Sequence, residues 1–75
     1  MNKHMFVFAK ITPKPKYFEK SKDAIKGIML QTRDEPGCLE FTLHEDGMGS
    51  LYLYEEWIDE YALQLHHNMA YTIHN

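Results

Sequence analysis

The side chains that could carry chemistry in this 75-residue sequence are five histidines, one cysteine and a set of aromatic rings. A helical zinc pair needs ligands four residues apart, and at that spacing His66 and His67 are followed by Ala70 and Tyr71. Adjacent histidines on a helix diverge by about 100°, so these two cannot share one ion. His4 and His74, near the termini, read as solvated. Cys38 has no second cysteine to pair with and no cationic neighbour in sequence to activate it, so it reads as a small buried hydrophobe. The Gly47-Met48-Gly49 run sits between two strand patterns, with no helix start behind it to cradle a phosphate. There remain Tyr52, Tyr54, Trp57, His44 and His66. Such rings can simply pack as core. They can also wall a pocket for a planar aromatic ligand, in which a histidine titrating near neutrality takes up a phenolic proton.

The elements that must position these residues follow from periodicity. Residues 4–11 alternate as a strand, with Phe6 and Phe8 on one face and Met5, Val7, Ala9 and Ile11 on the other. Pro13 and Pro15 end it. From about Lys16 to Thr32 the apolar residues Phe18, Ala24, Ile25, Ile28 and Met29 recur at helical spacing, and Gly27 inside that pattern suggests close packing against a strand. Glu35-Pro36-Gly37 is a turn. Residues 38–45 alternate again, with Leu39, Phe41 and Leu43 set against Cys38, Glu40, Thr42 and His44. A glycine-bearing loop closes a hairpin onto Leu51-Tyr52-Leu53-Tyr54-Glu55-Glu56-Trp57, where Leu51, Leu53 and Trp57 share one face and Tyr52 and Tyr54 the other. Which face His44 shares depends on the hairpin register. Asp59 predicts a helix N-cap, with Tyr61, Ala62, Leu65 and His66 along overlapping faces behind it.

The order β-α-β-β-α predicts an α+β chain of the ferredoxin-like, split βαβ class, whose last strand is missing or supplied by a partner. Residues 71–75 are too short to be assigned as that strand. Two of the three strands are apolar on both faces, while each helix offers a single apolar stripe, so the helices cover one side of the sheet only. The economical cover for the other side is a second copy, which predicts a homodimer with stacked sheets. With 44% hydrophobic and 25% charged residues the chain has the composition of a folded domain. A net charge of −3 gives no footprint for a nucleic-acid backbone, and no apolar run is long enough for a signal peptide or a membrane span, so a cytoplasmic protein is expected.

Residues 35–46 and 51–67 together resemble the antibiotic biosynthesis monooxygenase family of the quinol-monooxygenase type. The resemblance rests on Glu35-Pro36-Gly37-Cys38, Leu43-His44 with Asp46, Tyr54-Glu55 with Trp57, and Ala62-Leu63 with His66, supported by the segment from Ala9 to Ser21. It implies a dimeric α+β barrel in which residues 1–75 form one domain that ends short of the family's final helix and strand. It further implies oxidation of a quinol or polycyclic phenol by molecular oxygen without flavin, metal or haem, the protein supplying a dry pocket, a base and orientation. Carried over by position, His66 and His44 are base candidates, Trp57 joins them as a catalytic candidate, and Tyr52, Tyr54 and Phe41 are candidate substrate contacts. Tyr71-Thr72 stands where relatives place a second histidine and an aromatic. Two further readings are an isomerase of a phosphorylated quorum-sensing sugar and a non-catalytic ligand-binding or dimerisation module. The basic residues concentrate in the first helix, away from the pocket candidates, which disfavours the isomerase. A haem-degrading relative would carry an asparagine in the first strand, where residues 4–11 have none.

Overall fold

The computed structural model describes residues 3–73; His74 lies outside them. Three strands, β1 (Met5–Ile11), β2 (Cys38–Glu45) and β3 (Leu51–Trp57), form one antiparallel sheet in the order β1-β3-β2. Pro15 opens a 3-10 turn, Pro15–Tyr17, that runs directly into helix α1 (Phe18–Arg33), a start suited to a residue with fixed φ and no amide donor. Helix α2 (Glu60–His67) begins at Asp59, whose carboxylate accepts from the Ala62 amide at 2.8 Å as the N-cap. A four-residue helix, α3 (Ala70–Ile73), follows, so residues 71–73 turn helically.

The helices lie on one face of the sheet, as each carries one apolar stripe. Phe41, Trp57, Ala62 and Leu63 form the buried core, with Met5, Val7, Ile25, Ile28, Met29, Cys38 and Leu53 packed against it. On α2 the inward stripe is Ala62, Leu63 and His66. Tyr61 and Leu65, expected on overlapping faces with them, are exposed, because an eight-residue helix lying on a sheet buries only about 100° of its surface. The opposite face of the sheet carries Phe6, Phe8, Tyr52 and Tyr54. Phe6 and Phe8 are 60% and 71% exposed, and Phe8 stacks on Tyr52 with ring centroids 6.0 Å apart.

Two expectations are corrected. The alternation of β2 is broken by a bulge between Cys38 and Glu40: Cys38 pairs with Trp57 and Glu40 with Glu56, leaving Leu39 as an extra residue, half-exposed at the edge. Cys38 therefore joins Phe41 on the helix-facing side. Gly27 is exposed, and a Cβ built there meets nothing within 4 Å, so no strand approaches it. Its cost is then the ordinary helix penalty of glycine. Gly27→Ala is expected to stabilise the domain by about 0.5–1 kcal/mol, read as a raised urea midpoint at unchanged slope.

Candidate functional site

Beneath the helices, side chains from four elements meet around His66. The turn between α1 and β2 is wound tightly by backbone bonds, from the Glu35 amide to the Thr32 carbonyl at 3.0 Å and from the Cys38 amide to the Glu35 carbonyl at 3.1 Å. Gly37, at φ 90°, passes the chain into β2, and its carbonyl accepts from the Ile58 amide at 2.8 Å, fastening this turn to the end of β3. Glu35 is thereby carried inward, 8% exposed. His66, one turn after Ala62 on α2 and 3% exposed, donates from Nδ1 to Glu35 Oε2 at 2.9 Å. The carboxylate fixes the tautomer, so Nε2 is the nitrogen left to accept a proton.

Trp57 lies on the other side of His66, with ring centroids 4.8 Å apart and planes inclined at 31°; Phe41 meets the imidazole edge-on at 5.7 Å. The indole Nε1 of Trp57 donates to Glu55 Oε1 at 2.9 Å, so a second buried carboxylate enters the cluster from the sheet. Tyr71, on α3, donates its hydroxyl to the same Glu35 oxygen that His66 uses. Burial and the negative charge of Glu35 push the Tyr71 phenol up to about 12, with the Thr32 hydroxyl pulling the other way. Burial, aided by Glu35 and Glu55, also raises the Cys38 thiol, which keeps it protonated and unreactive.

A folded-state Tyr71 pKa above its ordinary 10.0 means that the native state holds this proton more tightly than the unfolded chain does. The stabilisation is therefore complete below about pH 10 and lost as pH rises through about 12. Tyr71→Phe is expected to cost about 1.5 kcal/mol near neutral pH, and the gap between the urea midpoints of variant and wild type should close between pH 10 and 12.

The residues singled out by sequence divide between the two faces of the sheet. His66, Trp57 and Phe41 come together under the helices. His44, Tyr52 and Tyr54 point to the opposite face, because His44 pairs with Tyr52 and Thr42 with Tyr54 in the observed register. The single pocket expected for all five rings is thus two separate clusters. His44 is exposed, and His4, expected to be solvated, is exposed but places Nδ1 2.8 Å from Glu56 Oε2. One cleft of about 430 Å³, by Arg33, Cys38 and Phe41 at the outer edge of β2, adjoins the His66 cluster only through Phe41; another of about 420 Å³ lies by Ile11, Tyr17 and Ala24 beside α1. Neither is lined by His66 or Trp57. Among the described residues, no three His, Cys, Asp or Glu side chains are grouped so as to hold a metal ion. Nor is any helix long and apolar enough to cross a membrane.

Sequence reasoning gave no site role to Glu35, Glu55 or Tyr71, although all three stand at positions that the resemblance names. Glu55 could have been found, since it stands two residues from both Leu53 and Trp57 and so shares their inward face. The pairing of Glu35 with His66 spans 31 positions and leaves no local signal.

Comparison with known proteins places this fold. Protein PA3566 of Pseudomonas aeruginosa has a similar structure, with a TM-score of 0.89 at 28% identity over 99% of this chain and 76% of that one. Rv0793 of Mycobacterium tuberculosis gives a TM-score of 0.91 at 25% identity, over 96% of this chain and 74% of its own. A structure described as an antibiotic biosynthesis monooxygenase gives 0.82 at 28% identity, covering 91% and 74%. No curated protein sequence matches. The profile of antibiotic biosynthesis monooxygenases matches residues 5–72, all but the ends of the chain, and the protein belongs to that family.

Proposed function

We propose that this chain is a cofactor-independent monooxygenase that oxidises a quinol or polycyclic phenol with molecular oxygen. The observation that carries the reading is the buried Glu35–His66 pair, whose imidazole lies tilted against the Trp57 ring. Glu35 holds Nδ1 protonated, Nε2 accepts a phenolic proton, and the electron-rich phenolate becomes the reductant for oxygen. A quinol and one O2 then yield a hydroxyquinone and one water, the substrate giving up four electrons. Trp57 and Phe41 supply flat apolar walls that suit an aromatic ring and keep water away from the reacting carbon. His66 is 3% exposed, so a substrate reaches it only after neighbouring side chains move aside.

The partner in this reading is a second copy laid over the open face, where Phe6, Phe8, Tyr52 and Tyr54 would find cover and His44 would enter the interface. The protein is expected to act in the cytoplasm.

Oxygen uptake with menadiol-like quinols, with the hydroxyquinone followed by mass spectrometry, tests the chemistry. Wild type should exceed buffer autoxidation, and His66→Ala should fall by roughly 100-fold or more. Equal rates in protein and buffer would leave the second reading, a non-catalytic binding or dimerisation module. That reading is favoured by the same burial of His66, since a histidine bonded at Nδ1 and sealed by aromatic rings also serves as an ordinary core residue.

A further inference from the structure

Glu55 is the residue that packing alone explains least. It occupies the middle of the central strand, on the face that meets the helices, and its cross-strand neighbours are Val7 and Phe41. It is 5% exposed. A carboxyl group among such neighbours costs stability relative to an aliphatic side chain, which would have completed the inward series Leu51, Leu53, Trp57. What the carboxyl does instead is accept the indole N–H of Trp57 at 2.9 Å. That N–H is the one polar handle by which a tryptophan ring can be held at a chosen angle, and the ring so held is the one tilted against His66 with centroids 4.8 Å apart.

We infer that Glu55 is a positioning residue, which rests on the role proposed for His66: its grip on the Trp57 indole sets the plane against which the His66 imidazole lies when it meets substrate. Glu55 and Trp57 are two residues apart on one face of a paired strand, so the backbone between them is rigid and the ring angle is referred to the sheet. Glu35 fixes the same imidazole through its edge, from the turn after α1. Two carboxylates on two unrelated elements therefore constrain one histidine, one through a direct bond and one through an aromatic intermediary.

The test compares Glu55→Gln with Glu55→Leu in the full chain. The glutamine carbonyl still accepts from the indole, whereas leucine fills the space and offers no acceptor. Glu55→Met, unbranched, replaces the leucine variant if that one does not fold. Trp57 is the sole tryptophan, so its near-ultraviolet circular dichroism band reports the ring's immobilisation directly. The apolar variant should lose half or more of that band and tenfold or more in kcat, with KM changed less than twofold; Gln should keep the band and recover kcat to within threefold. Wild-type band and kcat in the apolar variant would overturn the assignment. So would equal losses in Gln and Leu, since the carboxylate charge and not the grip on the indole would then matter. If wild type consumes no oxygen, the proposed function fails by itself and the band alone decides. Loss with Leu and recovery with Gln then show that Glu55 holds the Trp57 ring while its catalytic role falls with the proposed function, and an unchanged band refutes the grip itself.

Discussion

Trp57→Ala is expected to leave the domain largely unfolded at 25 °C. Trp57 is fully buried at the junction of the sheet and α2, and emptying such a site costs about 3–5 kcal/mol in lost transfer energy and cavity formation. The substitution also strips Glu55 of its indole partner, at a further cost of about 1–3 kcal/mol. A chain of this size has only about 3–5 kcal/mol in total to lose. Far-ultraviolet circular dichroism against urea should show a cooperative transition in wild type and none in the variant. A variant melting within a few degrees of wild type would contradict the packing described here.

Gly37→Ala is expected to cost about 3 kcal/mol and to damage the site as well as the fold. Gly37 has φ near 90°, a conformation that costs an L-residue about 1–2 kcal/mol. A Cβ at that position would stand 2.6 Å from the Ala62 Cβ and 3.0 Å from the Ile58 Cγ1, so overpacking adds about 1–3 kcal/mol. The relief available is for α2 to back away from the turn. Ala62 and His66 lie one turn apart on α2, and Glu35 lies two residues before Gly37, so that retreat also lengthens the Glu35–His66 bond. A second substitution, Ala62→Gly, removes the clashing methyl and should restore part of the lost urea midpoint; no recovery in the double variant would locate the damage elsewhere.

The strands, helices and hairpin were legible because hydrophobic period follows directly from which side of an element meets the core. The same logic gave the two-faced character of β1 and β3 and the Asp59 cap. It failed where one residue changes phase: the bulge at Leu39 returns Cys38 to the inside, and a strict alternation cannot express that. His66 and Trp57 could be picked out as residue types, but their chemistry is set by Glu35 and Glu55. Glu35 looks like a turn residue next to a proline, and it becomes a buried hydrogen-bond acceptor only because α2 folds back over the turn. Glu55 was hidden by the habit of reading a charged side chain as outward even when its spacing from Trp57 says otherwise. Tyr71 escaped because a four-residue helix leaves too few positions for any period to register.

The bulge also makes the two borders of the sheet unequal. β1 pairs with β3 in unbroken register along its whole length, so its outward row of amides and carbonyls is evenly spaced, as an incoming strand requires. β2 carries the extra Leu39 at its start, and its regular row runs only from Glu40 to Glu45. The β1 border is therefore the more regular of the two, and the β2 border is irregular only where Leu39 interrupts its first residues.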